Sequence, residues 1–396
     1  MPAIAFEDVD IVFGKRRREA LEMVDRGAAR EEILARTDCV LGAAGVNLSV
    51  EPGEICVLMG LSGSGKSTIL RAVNGLNKVA RGRVLVEHAG GTVDVASCGP
   101  DVLRELRTRR IAMVFQQFAL LPWRTVAENV ALGLELRGAG RDEIRRVVEE
   151  KLALVSLTPW AGKRAHELSG GMQQRVGLAR AFATDADVLL MDEPFSALDP
   201  LIRDKLQDEL LALQRTLRKT ILFVSHDLDE ALKIGNRIAI LEGGRVVQWG
   251  GAEDILLRPA NDYVAEFVKH MNPLNVLRGV SLMRPAATLR RDGAAVLLDE
   301  AGRVRVDLDA DGRPVACSLD GRAGALGRAD SETGELASGE GSDVVVASIE
   351  LKMRSAIALR RRSGHPIVLV DALGRMAGLC GDEEIYRALL GRRGAP

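Results

Sequence analysis

The chain has 396 residues, enough for two domains, and a formal net charge of −1 at pH 7, so no basic field points to nucleic acid and none is expected as a partner. Its five cysteines, an odd number, stand far apart at 39, 56, 98, 317 and 380 and form no metal-type pair, which is typical of a reduced cytosolic protein. No apolar run approaches the roughly 20 residues of a membrane span, and the N-terminus shows no signal-peptide pattern, so any role at a membrane would need separate membrane subunits.

The first predicted elements are a strand and a helical insertion. Residues 1–14 have the pattern of an antiparallel edge strand, and residues 15–36 form a charged helical segment with a break near Gly27. The basic cluster at 15–18 fits a solvated helix face better than a lipid contact.

A phosphate-binding loop is predicted at residues 60–67, where Gly-Leu-Ser-Gly-Ser-Gly-Lys-Ser matches G-x-x-x-x-G-K-[ST] without a mismatch. A buried strand before the loop and a helix after it supply the context that the motif needs. Loop N–H groups and the helix N-terminus would face phosphates, Lys66 would reach the β- and γ-phosphates, and the Ser67 hydroxyl would hold Mg²⁺. The predicted nucleotide contacts of this segment are Gly60, Leu61, Ser62, Gly63, Ser64, Gly65, Lys66, Ser67 and Thr68.

Three later strands each end in polar side chains suited to phosphate chemistry. The amide oxygen of Gln116 can bind Mg²⁺ and orient water. Asp192 and Glu193 predict a magnesium carboxylate and a general base at the end of an apolar strand. His226 can hydrogen-bond the γ-phosphate. Taken alone, Gln116 could be a solvated loop residue, the Asp-Glu pair a surface turn and His226 a structural histidine. The order of the three signals along the chain favours a catalytic role.

A second glycine-rich turn precedes the Asp-Glu pair, at residues 168–175, Leu-Ser-Gly-Gly-Met-Gln-Gln-Arg. Together with the phosphate loop, Gln116, Ser-Ala-Leu-Asp at 196–199 and His226, it resembles the ATP-binding cassette (ABC) transporter family over roughly residues 1–270. The resemblance implies an α/β P-loop NTPase fold with a RecA-like core, an antiparallel β-subdomain and a helical signature subdomain at 101–165. It also implies ATP and Mg²⁺ as ligands, hydrolysis of ATP to ADP and phosphate, and a head-to-tail homodimer.

In such a dimer each chain completes the nucleotide site of the other. The resemblance assigns catalysis to Glu193, His226 and Gln116, and the metal to Ser67, Gln116 and Asp192. It assigns further nucleotide contacts to Ser169, Gly170, Gly171, Gln173 and Asp199. Phe13 stands at the position of the adenine-stacking aromatic, although a core aromatic that closes a strand is the alternative.

The insertion at 15–36, Leu-Leu-Pro-Trp at 120–123 and Asp-Pro-Leu-Ile-Arg at 199–203 resemble the subfamily that imports quaternary ammonium osmoprotectants. That implies a separate transmembrane permease, a periplasmic or extracellular substrate-binding protein, and a peripheral position at the cytoplasmic face of the bacterial inner (plasma) membrane. Choline is the first expected substrate and glycine betaine or proline betaine the next. The alternative is a non-transport ABC ATPase of the DNA-repair or translation type.

A cluster of apolar side chains between Gln116 and the second glycine-rich turn has two explanations. It either accepts a short helix of the permease or packs between subdomains. Its members are Phe118, Leu120, Leu121 and Trp123.

Residues 271–396 are predicted to form a smaller α+β accessory domain. Residues 279–345 suggest short strands and hairpins, and 332–341 have linker composition. Residues 344–390 predict a regular order of elements: helix 353–362, strand 366–370, strand 376–379 and helix 383–390.

This last segment resembles one degenerate cystathionine-β-synthase-type (CBS) module, with 279–330 as a candidate degenerate partner. Nucleotide-binding modules of this type carry Thr or Ser and then Asp where this chain has Gly381 and Glu384, so adenosine binding is not expected. The domain then either regulates uptake, through ionic strength or the membrane surface, or stabilises the dimer.

Overall fold

A computed structural model of the protein describes residues 1–269, 272–330, 336 and 341–390. The chain forms two compact units, Met1–Phe267 (unit 1) and Val268–Pro396 (unit 2). Each unit has its own sheets and its own hydrophobic core.

The described residues of unit 1 form ten strands in two sheets. The strands are β1 Ile4–Phe13, β2 Val40–Val50, β3 Ile55–Met59, β4 Arg81–His88, β5 Gly91–Asp94, β6 Ile111–Val114, β7 Val188–Asp192, β8 Thr220–Val224, β9 Arg237–Glu242 and β10 Arg245–Gly250. An antiparallel sheet has the order β2-β1-β4-β5, and the second has the order β10-β9-β3-β8-β7-β6. All pairs in the second sheet are parallel except β10 with β9.

The helices of unit 1 connect these strands or follow the last of them. They are α1 Arg17–Asp25, α2 Arg30–Thr37, α3 Lys66–Ala72, α4 Pro100–Glu105, α5 Val126–Leu136, α6 Arg141–Leu154, α7 Gly170–Ala183, α8 Pro200–Leu217, α9 Leu228–Ile234, α10 Ala252–Leu257 and α11 Asp262–Val268. A π turn at Leu106–Arg110 and 3₁₀ turns at Thr158–Trp160 and Ala165–Glu167 complete the regular structure of this unit. Of the predicted helical subdomain at 101–165, the first part contributes β6 to the six-stranded sheet, and α5 and α6 follow it.

The parallel strands explain where functional side chains gather. Every residue of β3, β7 and β8 is buried, because a parallel sheet is covered on both faces and selects continuous apolar runs. The carboxyl ends of neighbouring parallel strands open on one edge of the sheet. Gly60, Asp192 and Ser225 therefore come to that same edge.

Strand β1 lies inside its sheet, so its prediction as an edge strand is wrong. It pairs with β2 on one side and with β4 on the other. The second partner comes from about 70 residues further along the chain, and the alternating pattern of β1 carries no information about it. Side chains of β1, β2 and β4 share one core with β3, β7 and β8, which ties the antiparallel sheet to the nucleotide-binding strands.

The predicted helical insertion consists of α1 and α2, separated at Gly27. The insertion has a small core of its own that also includes residues of the two flanking strands: Val12, Ala20, Met23, Val24, Ile33, Cys39, Leu41 and Ala44. The two ends of the insertion meet closely at Gly14, where a Cβ atom would lie 2.5 Å from the Cys39 sulfur. A side chain there would push the ends apart, and the φ of +138° also favours glycine.

The described residues of unit 2 form two five-stranded sheets. The strands are β11 Arg284–Pro285, β12 Arg291–Asp292, β13 Ala295–Leu297, β14 Val304–Leu308, β15 Pro314–Leu319, β16 Arg322–Gly324, β17 Leu326–Arg328, β18 Val344–Ser348, β19 Ile367–Val370 and β20 Met376–Cys380. The helices are α12 Gly279–Leu282, α13 Met353–Ser363 and α14 Asp382–Leu390, with 3₁₀ turns at Pro273–Asn275 and Ala286–Thr288. One sheet has the order β11-β20-β19-β18-β17, the other is an antiparallel meander from β12 to β16, and both contribute to one core.

The predicted elements at the C-terminus agree with the structure to within one residue at each boundary. The segment from β18 to α14 has the order strand, helix, strand, strand, helix. Residues 279–330 do not repeat this order in their described structure, so their prediction as a degenerate second module is wrong. The alternation in Val-Arg-Val-Asp-Leu at 304–308 belongs to a half-buried antiparallel strand of the meander. The linker predicted at 332–341 falls outside the described residues, except for Leu336 and Gly341.

Candidate functional site

The phosphate loop connects β3 to α3 in a conformation that requires glycine at two positions. Gly60 has φ +143° and Gly65 has φ +102°. A Cβ atom on Gly60 would lie 2.2 Å from the Leu241 carbonyl oxygen, and one on Gly65 would lie 2.4 Å from the Gly42 carbonyl oxygen. Both contacts are with backbone and cannot be relieved by moving a side chain, so the neighbouring strands fix the shape of the loop.

The Lys66 ammonium lies over this loop. It donates to the carbonyl oxygens of Gly60 and Leu61, each at 2.9 Å. Burial lowers the pKa of Lys66, and the negative charges of Glu193 and Asp192 act in the opposite direction. Phosphate oxygens would be stronger acceptors than these carbonyls, so the ammonium is placed to bind a phosphate.

Asp192 joins the loop helix to the end of β7. It is fully buried, and its Oδ1 accepts from the Ser67 hydroxyl at 2.7 Å. Its Oδ2 accepts from the Arg71 guanidinium, at 2.8 Å from Nη2 and 3.2 Å from Nε. Arg71 was not predicted, although its position one helical turn after Ser67 places both on one face of α3.

The hydroxyl and the carboxylate offer the hard oxygen donors that Mg²⁺ prefers. Mg²⁺ usually keeps several waters and takes one or two protein ligands together with phosphate oxygens. Ser67 and Asp192 stand side by side at the loop and fit that pattern. Gln116, the third predicted metal ligand, directs its amide nitrogen to Glu193 at 3.0 Å.

The three predicted catalytic residues meet at one atom. Glu193 Oε2 lies 3.0 Å from Gln116 Nε2 and 3.2 Å from His226 Nδ1. Each residue directly follows a strand of the six-stranded sheet or stands in the loop just beyond it. The structure therefore brings an amide, a carboxylate and an imidazole together beside the phosphate loop.

The backbone of Glu193 is unusual for a residue with a side chain. Its φ is +47°, in the left-handed region, which costs about 1–2 kcal/mol outside glycine. Such a conformation persists only where several contacts hold it. The Glu193 N–H donates to the Val224 carbonyl at 3.2 Å, and the Glu193 carbonyl accepts from the Ser196 hydroxyl at 3.0 Å.

Gln174 supplies a further contact that was not predicted. It is buried on α7, its Nε2 donates to the Glu193 carbonyl at 3.2 Å, and its Oε1 accepts from the Ala197 N–H at 3.2 Å. The predicted neighbour Gln173 instead donates to the Leu168 carbonyl at 3.1 Å, within its own turn. In one chain it is therefore Gln174 that connects the second glycine-rich turn to the general-base candidate.

The second glycine-rich turn begins α7. Ser169 is the N-cap, and its hydroxyl accepts from the Met172 N–H at 3.4 Å. Gly170 and Gly171 form the first turn, so their N–H groups lie at the exposed positive end of the helix. Asp199 caps the next helix in the same way, by accepting from the Ile202 N–H at 3.0 Å. Within the described chain, no hydrogen bond joins these groups to the phosphate loop.

Phe13 lies beside the start of the loop helix and is 39% exposed. A Cβ atom on Gly42 would lie 2.8 Å from both Phe13 Cε2 and Thr68 Cγ2. The missing side chain at Gly42 thus lets the ring approach Thr68 and the phosphate loop. An exposed ring in this place is available for stacking, and Gly42 was not among the predicted residues. At the crest of the loop, Leu61, Ser62 and Gly63 are exposed, whereas the Ser64 side chain is buried.

The loop after Gln116 is held by α7. Phe118 and Ala119 have φ values of +56° and +46°, and their carbonyls accept from the Arg180 guanidinium at 2.9 and 2.7 Å. Of the predicted apolar cluster nearby, Trp123 is the most exposed, at 69%. Phe118, Leu120 and Leu121 are half-buried. Among the residues that the structure describes, no helix is both long and apolar enough to cross a membrane.

Comparison with known proteins gives a consistent result. Residues 43–196 match the family model described as ABC transporter. The chain is 46% identical over 289 residues to the glycine betaine transport ATP-binding protein OpuAA of Bacillus subtilis, covering 73% of this chain and 68% of the relative. It is 48% identical over 273 residues to the glycine betaine/proline betaine transport system ATP-binding protein ProV of Escherichia coli, covering 69% and 67%.

A solved structure agrees with these relatives. The dimeric structure of MJ0796, a bacterial ABC transporter cassette, superimposes with a TM-score of 0.54 at 31% identity. The match covers 63% of this chain and 98% of that cassette.

Proposed function

The chain belongs to the ATP-binding subunits of ABC transporters, and from that premise we propose that it energises import of a quaternary ammonium osmolyte through a separate permease. The cassette is an ATPase, and hydrolysis of ATP supplies the energy. The observation that carries the catalytic part is the convergence of Gln116 and His226 on Glu193 Oε2.

Glu193 is the general base of this mechanism. Its carboxylate takes a proton from the water whose oxygen forms a bond to the γ-phosphorus. The bond from that phosphorus to the β–γ bridging oxygen breaks, and ADP leaves with the electron pair. Gln116 and His226 orient the carboxylate, and the exposed imidazole would also hydrogen-bond the γ-phosphate.

The nucleotide is held by residues on both sides of the loop. Lys66 and the loop N–H groups bind the β- and γ-phosphates, and Phe13 stacks on the base. Ser67 and Asp192 would hold Mg²⁺, with Gln116 as a further ligand, and the ion would neutralise charge on the phosphates. Arg71 orients the Asp192 carboxylate by donating to its Oδ2 from both Nη2 and Nε.

A second copy of the chain completes the site. Ser169, Gly170, Gly171 and Gln173 of one chain close on the γ-phosphate held by the other, with Asp199 at the same interface. The free N–H groups at the start of α7 suit an anion. MJ0796, which is 31% identical, forms a dimer, and this supports a homodimer here.

The substrate class rests on the relatives. Two of them transport glycine betaine or proline betaine, which favours glycine betaine over the choline that we expected first. They also favour transport over the DNA-repair or translation alternative. The chain would act at the cytoplasmic face of the bacterial inner membrane, with a permease and a periplasmic or extracellular substrate-binding protein, and would not itself touch the osmolyte.

The β18–α14 segment of unit 2 is proposed as a CBS-like module. The Glu384 carboxylate is buried and accepts from the Gly381 N–H at 2.8 Å, and Arg284 lies 3.4 Å from its other oxygen. An adenosine ribose would have to displace these partners. We therefore assign unit 2 to dimer stabilisation or regulation without a nucleoside ligand.

The test compares Glu193→Gln with wild type and with Glu150→Gln. The Glu150 carboxylate is exposed and pairs with Lys151 at 2.5 Å, so its amide variant controls for loss of a charge. Glu193→Gln is expected to lower kcat about 10²- to 10⁴-fold while MgATP binding is kept, because only the base is lost. ATP should then trap a dimer, visible by size-exclusion chromatography.

The trapped dimer also tests transport. Affinity purification with ATP from solubilised membranes should recover a multispanning permease, and cells that lack the chain should lose uptake of labelled glycine betaine. Recovery of nucleic acid or ribosomes instead would overturn the transport assignment and keep the ATPase chemistry.

A further inference from the structure

The helical insertion makes direct contact with the phosphate loop. Arg30, the first residue of α2, donates from Nη1 to the Gly63 carbonyl oxygen at 2.5 Å. Gly63 lies at the exposed crest of the loop with φ +79°. A cation that precedes Gly63 by 33 residues thus contacts the backbone that would surround the phosphates.

The contact fixes a peptide group that would otherwise turn easily. Glycine populates both signs of φ with little cost, so the Gly63–Ser64 peptide would turn easily without such bonds. Its oxygen is held by Arg30, and its N–H donates to the Leu61 carbonyl at 3.1 Å. The next carbonyl, that of Ser64, accepts from the Gly244 N–H at 3.1 Å. Arg30 is the side chain that holds the exposed Gly63 carbonyl at the outer end of this series of hydrogen bonds.

The guanidinium is presented by a rigid support. The insertion is anchored by its small core around Met23 and Ile33. It is also anchored by Arg81, which lies 2.5 Å from an Asp10 oxygen and donates to both oxygens of Asp25, at 2.7 and 3.0 Å. Little side-chain and segment entropy is then lost when the loop is engaged, so the Arg30 contact is preorganised.

We propose that Arg30 is a positioning residue for the nucleoside triphosphate, through which the helical insertion acts on ATP affinity. It sets the Gly63 peptide so that the loop N–H groups keep their phosphate-binding orientation. Its positive charge adds attraction for the triphosphate. The inference rests on the proposed nucleotide site and assigns a role to the insertion that lies outside the motifs of the cassette.

The matched pair of variants is Arg30→Met and Arg36→Met. Both remove one cation from α2, but the Arg36 guanidinium is exposed and pairs with Glu32 on its own helix at 3.1 Å. Arg30→Met is expected to raise the Kd for a fluorescent MgATP analogue and the KM for MgATP about three- to tenfold, the range for a partly exposed charged hydrogen bond. The kcat value should stay within about twofold, because Glu193 and its partners are unaffected.

The conservative variant separates a positioning role from a merely structural one. Arg30→Lys keeps the charge and one donor, so it should restore most of the affinity, and Arg36→Met should bind like wild type. Melting temperatures of all variants identify any loss of folding, and binding is repeated 15 °C below the lowest melting onset.

Three results would overturn the inference. They are equal affinity of Arg30→Met and wild type, equal weakening by Arg36→Met, and recovery of normal affinity by Arg30→Met at the lower temperature. If folded wild type itself fails to bind MgATP, the proposed nucleotide site and this inference both fail. If wild type binds MgATP and Arg30→Met binds it equally well, only this inference fails.

Discussion

Gln174 is expected to control the rate of hydrolysis through its contact with Glu193. Its buried amide bridges the Glu193 carbonyl and the Ala197 N–H, each at 3.2 Å. Glu193 has a left-handed backbone, so its side-chain direction depends on contacts of this kind. The perturbation is Gln174→Met, which keeps the volume and removes both hydrogen bonds.

The magnitude follows from the number of bonds. Two hydrogen bonds contribute about 1–3 kcal/mol together, at about 0.5–1.5 kcal/mol each. The Glu193 carbonyl keeps its bond from the Ser196 hydroxyl, so the lower half of that range, about 1–2 kcal/mol, applies. This is comparable with the cost of about 1–2 kcal/mol for the left-handed conformation. At 1.4 kcal/mol per tenfold, kcat should fall about five- to thirtyfold.

The assay measures kcat and KM for MgATP together with the melting temperature. KM should stay within about twofold, because Lys66 and the phosphate loop are untouched. The control is Gln248→Met, since that amide also bridges a carbonyl and an N–H, those of Arg258 and Ala260, at 2.9 and 2.8 Å. It lies on β10, at the opposite edge of the sheet from β6. A kcat unchanged in Gln174→Met, or lowered equally in Gln248→Met, would refute the reasoning.

Two further predictions concern the pH dependence of stability at Glu230 and the packing of Phe13 beside Gly42. Burial raises the pKa of Glu230, so its contribution to stability is greatest below the usual value of 4.5 and is lost as pH rises through the folded pKa. Glu230→Gln should therefore gain stability relative to wild type between pH 4 and pH 7, as measured by urea unfolding at each pH. Gly42→Ala should raise the Kd for a fluorescent ATP analogue about three- to tenfold by forcing Phe13 away from Thr68. Gly99→Ala, where a Cβ atom meets nothing within 4 Å, should leave that Kd unchanged.

The sequence predicts which side chains come together at the centre of the candidate site, and the reason is physical. Each central residue directly follows a buried parallel strand or stands in the loop just beyond it, and such strands are recognisable as short apolar runs. Because their carboxyl ends meet at one edge, order along the chain translates into proximity. Gln116, Glu193 and His226 can be grouped in this way from the sequence alone.

The supporting contacts could not be predicted in the same way. Gln174, Arg180 and Arg30 act on backbone carbonyls 19 to 62 residues away, and no side-chain pattern marks a carbonyl that needs a donor. The predicted Gln173 has the same side chain as Gln174, and only the rotation of α7 decides which of them faces Glu193. The prediction of β1 as an edge strand is wrong for a related reason, because its second neighbour in the sheet, β4, is set by long-range pairing.

In unit 2 the contrast between what local sequence patterns predict and what long-range contacts decide is clearest. From β18 to α14 each element follows its neighbour closely, so periodicity alone locates them. The departure at Gly381 and Glu384 then has a structural consequence that goes beyond a missing ligand. The Glu384 carboxylate caps α14 through the Gly381 N–H and lies 3.4 Å from Arg284, which comes from β11. Glu384 stands where nucleotide-binding modules carry Asp, and here it ties the C-terminal helix to the start of the unit. These contacts favour a structural role over a nucleoside-sensing role.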